Sequence, residues 1–278
     1  MAAADVIPCF SWTTNRGTAK AVLVCIHGLG LHGGAYRLFG EQMAKRGIAT
    51  YALDMRGFGR WQQTESCILN FPQCLNDIRR KIEELRKQNP GVPVFLLGES
   101  LGGAISVQYA VQFGMTIDGL VLCAPARDLR DHPMEMISTL LNFLARPGRL
   151  ISVSDSVFRH TPNVRALQQL DPDVRTHFTF GELMHLCAFL RGAKRRLEKL
   201  PNVPVLFIQG MGDVLIKPRR TMDYFERIPS SDKDLVIIGD AQHLIFQNMI
   251  VPRKAVNLVE NWIVDHLPRR ATRSRDVA

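Results

Sequence analysis

The chain has no long hydrophobic run. No stretch of its 278 residues approaches the roughly 20 apolar residues that a bilayer-spanning helix needs. Residues Met1 to Phe10 lack both a charged n-region and an apolar core, so they do not read as a secretory signal. Cysteine is sparse and scattered: Cys9, Cys25, Cys67, Cys74, Cys123 and Cys187 form no C-x-x-C pair and no zinc spacing. Cys25 and Cys123 fall inside apolar strand runs and read as small core residues. Reduced thiols make the cytoplasm the default compartment. There is no internal repeat and no low-complexity tract. Acidic residues are outnumbered, 26 against 35 Lys and Arg, for a net charge of +9. The excess gathers at Lys194-Arg195-Arg196, at Arg219-Arg220 and in the tail from Arg269 to Ala278. A solvated face and a frayed tail account for it; transient attraction to an anionic membrane surface is the sharper alternative. No aromatic-interleaved basic stripe accompanies the charge, which argues against nucleic acid as a partner.

What is present is an alternation of short apolar strands with helical patterns, the sign of an α/β fold whose mostly parallel central sheet carries helices on both faces. Ala21 to Ile26 is continuously apolar, as a strand buried on both sides must be. Ile48 to Leu53, Val92 to Leu97, Gly119 to Cys123, Val203 to Ile208 and Leu235 to Ile238 are further strands. Leu75, Ile78, Ile82 and Leu85 recur at helical steps between Phe71 and Gln88, and Asn89-Pro90-Gly91 stops that helix. Helices are also expected near Arg219 to Arg227 and over Pro252 to His266.

The alternation breaks from about Arg127 to Leu200, where no convincing buried strand appears. Two helical apolar faces stand there instead, one with Met134, Ile137, Leu140, Leu141 and Leu144, the other with Leu183, Leu186, Phe189 and Leu190. A segment of this length is too long for an ordinary connection and reads as a helical cap. The expected organisation is a core over 1–126 and 201–267, a cap over 127–200, and a basic tail over 268–278.

One motif carries the chemistry. Gly98-Glu99-Ser100-Leu101-Gly102 follows an apolar strand and opens a helix-forming stretch, the setting of a nucleophile elbow. The turn lifts the serine hydroxyl above the sheet edge, at the positive end of a helix. A serine hydroxyl needs a base, and the base needs an orienting carboxylate. In the chain order Ser, acid, His, Asp213 follows the strand and glycine turn Val205 to Gly212, and His243 follows the strand that ends at Ile238. His243 alone of eight histidines lies between the last strand and the last helix. Asp240 is the rival acid, but it follows the wrong strand. Leu101 N–H and Leu29 N–H, the second from the loop His27-Gly28-Leu29-Gly30, are the expected oxyanion donors; His27 reads as structural.

These segments, together with Asp54-Met55-Arg56-Gly57-Phe58-Gly59, resemble the α/β-hydrolase superfamily, and most closely its monoacylglycerol lipase and lysophospholipase branch, which shares a sequence family with serine aminopeptidases. The likeness covers about Ser11 to Leu267. It implies a helical cap over an acyl tunnel, and hydrolysis through an acyl-enzyme without metal or cofactor. Ser100 carries over as nucleophile, Asp213 as acid, His243 as base, and Leu29 and Leu101 as oxyanion donors. Three departures stand out: Glu99 where the close lipases often carry His, Arg60-Trp61 where a serine is common, and a first edge strand that is short or missing. The expected substrate is a small ester of lipid type. Leu140, Phe143, Leu144, Leu186 and Phe189 (with Met134 and Met136) either line the acyl site or seal the cap onto the core. The runners-up are an aminopeptidase, with Glu135 or Glu182 anchoring the substrate amine, and a thioesterase. From another class comes a non-catalytic binding module, but such a protein often loses a triad member and this chain retains all three.

Overall fold

The computed structural model describes residues 6–14, 17–64, 68–127, 150–152 and 171–268. Seven strands form one sheet: β1 (Cys9–Trp12), β2 (Ala21–Ile26), β3 (Ile48–Leu53), β4 (Val94–Glu99), β5 (Gly119–Cys123), β8 (Val205–Gly210) and β9 (Lys233–Ile238), in the order β1-β3-β2-β4-β5-β8-β9. All neighbours pair in parallel except β1, which runs antiparallel to β3 from Cys9 opposite Leu53 to Trp12 opposite Thr50. The first edge strand is therefore present and four residues long. β4 and β8 begin two residues later than the apolar pattern suggests, because Pro93 and Pro204 have no N–H to give a ladder.

Continuous apolarity in the central strands follows from having both faces covered. In β2 the side chains of Val22, Val24 and Ile26 enter one core, with Leu75, Ile78 and Ile82 of α2 (Phe71–Gln88) and Ile105 and Tyr109 of α3 (Leu101–Phe113). Ala21, Leu23 and Cys25 enter the other core, with Phe39 and Met43 of α1 (Arg37–Lys45) and Val256, Val259 and Ile263 of the C-terminal helix Arg253–Asp265. Cys25 and Cys123 are fully buried, free thiols.

Within 127–200, residues 128–149 and 153–170 lie outside the described residues. The described part holds a small two-stranded sheet, β6 (Ile151–Ser152) with β7 (His177–Phe178), and two helices, α4 (Phe180–Arg191) and α5 (Ala193–Leu197). Two-residue strands carry too little periodicity to be read from sequence. Among the described residues, no helix is long and apolar enough to cross a membrane.

Candidate active site

Ser100 sits between β4 and α3 with φ 57° and ψ −120°, in the left-handed half of backbone space that a non-glycine residue rarely occupies. The neighbours over-determine that conformation. Ser100 N–H donates to Cys123 O on the adjacent strand at 2.9 Å, and Ser100 O accepts from Ala126 N–H at 2.9 Å. A Cβ at Gly102 would drive into the backbone carbonyls of Ile26 and His27, so α3 packs across β2 only because this position is glycine.

The ends of β8 and β9 bring the partners to the serine. His243 Nε2 lies 2.9 Å from Ser100 Oγ, and His243 Nδ1 lies 2.8 Å from Asp213 Oδ2. A carboxylate only accepts, so Nδ1 carries the proton and Nε2 presents its lone pair to the serine hydroxyl. Asp213 is 3% exposed, which is tolerable because four donors meet its carboxylate. Leu215 N–H and Ile216 N–H reach Oδ1 at 2.9 and 2.8 Å, while Gln209 Nε2 and His243 Nδ1 reach Oδ2 at 3.1 and 2.8 Å. Gln209 is fully buried, with its own oxygen held by the Thr221 hydroxyl at 2.6 Å. Asp240, the rival acid, is exposed and pairs with Lys254.

The loop after β2 is pinned residue by residue. His27 Nδ1–H donates to Gly28 O at 2.9 Å and Nε2 accepts Met55 N–H at 3.0 Å, which fixes one neutral tautomer. Full burial lowers its pKa to about 3, against a weaker opposing pull from the Gly28 carbonyl. Gly30 O accepts Arg175 N–H at 2.7 Å. Asp54 receives Gly33 N–H at 2.8 Å and Arg60 N–H at 3.0 Å, and burial raises its pKa against those two amides. Trp61 Nε1 donates to Asp54 O at 2.9 Å, and the Arg56 guanidinium lies 3.7 Å from a Trp61 ring centroid. Arg60-Trp61 thus buttresses the Asp54 turn. Leu29 N–H makes none of these backbone hydrogen bonds. Leu101 is the first residue of α3, where an N–H has no acceptor within its own helix.

Leu140, Phe143 and Leu144 lie outside the described residues, as do Met134, Met136 and Glu135. Leu186 is buried in the core shared with α2 and α3, and the Phe189 ring stacks on Phe71 with centroids 3.9 Å apart and planes 6° apart. Glu182 is 3% exposed and fully engaged: it caps α4 through Thr179, pairs with Arg175 at 2.8 Å and accepts Leu69 N–H at 3.1 Å. Burial pushes its carboxyl up, but the Arg175 side chain and the two amides outweigh that and hold it below the usual carboxylate range. Sequence reasoning missed Gln209, Thr221 and Gln247. The available signal was a lone polar residue, Gln209, in the buried strand β8, where a polar side chain needs a partner.

The family model described as "Serine aminopeptidase, S33" matches residues 17–249. Monoglyceride lipase of Rattus norvegicus is 26% identical over 264 residues, covering 92% of this chain and 86% of that protein. Monoacylglycerol lipase of Mycolicibacterium smegmatis is 26% identical over 261 residues, covering 92% of each. The crystal structure of a soluble variant of Saccharomyces cerevisiae monoglyceride lipase, in complex with a substrate analog, superposes with a TM-score of 0.77 at 21% identity, covering 94% of this chain and 92% of that one. The Ser100 turn, the parallel sheet beneath it and a match across most of the chain agree: this protein belongs to the serine aminopeptidase S33 family and has the α/β-hydrolase fold.

Proposed function

We propose that this protein hydrolyses lipid carboxylic esters of monoacylglycerol type through an acyl-enzyme on Ser100. The observation that carries the reading is the series Ser100 Oγ, His243, Asp213, linked at 2.9 and 2.8 Å with the imidazole lone pair facing the hydroxyl. In the first step Ser100 Oγ attacks the ester carbonyl carbon while its proton passes to His243 Nε2. Asp213 stabilises the imidazolium through Nδ1–H and does not itself take the proton. The oxyanion lies against Leu29 N–H and Leu101 N–H, and a donor of this kind is worth about 3 kcal/mol in the transition state. His243 then protonates the departing alcohol. Water enters, gives its proton to His243 and releases the acid from Ser100 by the reverse path.

The lipid part of the reading draws on the monoglyceride lipases to which the chain is similar. The aminopeptidase alternative is weakened by Glu182, whose carboxylate already meets Arg175, Thr179 and Leu69. The test is labelling by a fluorophosphonate probe, together with turnover on monoacylglycerols, p-nitrophenyl esters of graded chain length, acyl thioesters and aminoacyl amides. Labelling that disappears in Ser100→Ala, with turnover highest on the lipid esters, is the expected result. Absence of labelling would favour a binding module, and a preference for amides or thioesters would replace the substrate class.

A further inference from the structure

Gln247 lies four residues beyond His243 and is fully buried, with both ends of its side chain engaged. Its Oε1 accepts Gly28 N–H at 3.0 Å, and its Nε2 donates to Glu99 Oε2 at 3.0 Å. Glu99, the residue before the serine, is also fully buried. Its carboxylate gathers the backbone of the loop after His243: Ile245 N–H at 2.6 Å, Phe246 N–H at 3.2 and 3.3 Å, and Gln247 N–H at 3.0 Å. The Cys123 thiol donates to it at 3.1 Å.

A carboxylate has no proton to give, so the Gln247 amide must turn its NH₂ toward Glu99 and its oxygen toward Gly28. Glu99 thereby dictates which way the amide faces. The consequence falls on the next peptide. Gly28 C=O and Leu29 N–H belong to one planar trans unit and point in opposite directions. Gly28 O is held by His27 Nδ1–H at 2.9 Å and Leu31 N–H at 3.2 Å, and Gly28 N–H is held by Gln247. With both ends of Gly28 fixed, the direction of Leu29 N–H is fixed too.

Resting on the reading of Leu29 as an oxyanion donor, we infer that Gln247, oriented by Glu99, is a positioning residue that sets the oxyanion loop from the base loop. Nucleophile, base and oxyanion donor then share one buried frame: Glu99 adjoins the first, its amide contacts hold the second, and Gln247 reaches the third.

The test is Gln247→Leu, which keeps the size of the side chain and removes both hydrogen bonds. The expected result is a fall in kcat of about 100-fold on a short p-nitrophenyl ester, the usual effect of a donor displaced by about an ångström, with KM nearly unchanged. The affinity of a boronic acid, which fills the oxyanion position, falls in parallel. A thermal midpoint that drops without a parallel loss of boronate affinity would leave Gln247 an ordinary core residue and overturn the inference. Should the variant fail to fold, ¹⁵N-glycine and ¹⁵N-leucine labelling of the wild type decides it. On phosphonylation of Ser100 the Leu29 amide signal is expected to move strongly while Gly28 N–H stays protected from exchange. Release of the Gly28 amide in the adduct would overturn the inference. A wild type without esterase turnover or probe labelling would instead overturn the functional reading beneath it.

Discussion

The side-chain amide of Gln209 donates to the same oxygen of Asp213 that receives His243 Nδ1–H, so Asp213 is held from the end of its own strand as well as by His243. Thr221 in turn holds the Gln209 oxygen at 2.6 Å, and Gln209 Nε2 also faces Gly210 O and Ile216 O at 3.0 Å. Gln209→Leu removes this support and leaves the Thr221 hydroxyl and two carbonyls short of a partner. The expected cost in stability is about 1–3 kcal/mol. A carboxylate that has lost a fixed donor aligns the imidazole less well, so kcat should fall by about tenfold with KM little changed. Thr221→Val, which removes the donor to the Gln209 oxygen but leaves the amide NH₂ on Asp213, should show a smaller loss in kcat. Steady-state kinetics with urea denaturation of both variants measures each effect; a Gln209→Leu enzyme as fast as wild type would remove Gln209 from the account.

Gly30→Ala tests the outer side of the loop proposed to hold the oxyanion. Gly30 has φ +79°, and a Cβ there would lie 2.6 Å from Arg175 O. Alanine in this region costs roughly 1–2 kcal/mol before any clash. The added atom also pushes against the Arg175 backbone that donates to Gly30 O. Since Leu29 lies one residue away, kcat is expected to fall by about tenfold or more while far-UV circular dichroism stays unchanged. Calorimetry beside the kinetics separates the loop effect from general unfolding.

The main architecture was legible because the central strands are apolar along their whole length and the helices carry clear periodicity. Ala21–Ile26, Ile48–Leu53 and Phe71–Gln88 begin and end where the pattern placed them. Ser100, Asp213 and His243 could be placed because each follows a strand end, and strand order brings those ends together. The supporting side chains were harder to read. Gln247 lies 219 residues from Gly28, and Glu99 lies 146 residues from Ile245, so no local spacing records either contact. Glu182, which the sequence offers as an anchor for a substrate amine, shows the same limit: its contacts with Arg175 and with Leu69, 113 residues away, leave no local trace, and they engage the carboxylate within the fold.

Acid should unfold the protein partly through His27. In the folded chain its pKa is about 3, against an ordinary 6.5, because burial disfavours the charged ring. Below 6.5 the unfolded chain therefore binds more protons than the folded one, so stability falls as pH drops and this contribution levels off near 3. Above 6.5 the ring is neutral in both states and contributes no pH dependence. His27→Gln retains an acceptor for Met55 N–H and cannot titrate. Thermal midpoints between pH 7 and pH 4 should decline less steeply in this variant than in wild type. Parallel curves for the two proteins would show that His27 does not carry the acid response.

Phe189 separates an acyl-lining role from a packing role. Its ring is stacked on Phe71 from one side, and the Arg196 guanidinium lies 4.4 Å from its centroid. Leu186 and Leu190 enter the core from the same helix, so this face of α4 is turned to the core, with Phe189 set against the first residue of α2. Those contacts support the sealing role. Phe189→Ala should destabilise the protein by about 1–3 kcal/mol through lost burial and stacking. It should lower kcat/KM for long-chain and short-chain esters by similar factors, because both need the helix seated. A residue gripping the acyl chain would behave differently. Its removal would spare short esters and penalise long ones by about tenfold or more, the worth of a few lost methylene contacts in a hydrophobic pocket. The long-to-short ratio of kcat/KM, set beside the shift in urea midpoint, therefore decides between the roles. A large change in the ratio at constant stability would move Phe189 to the acyl wall.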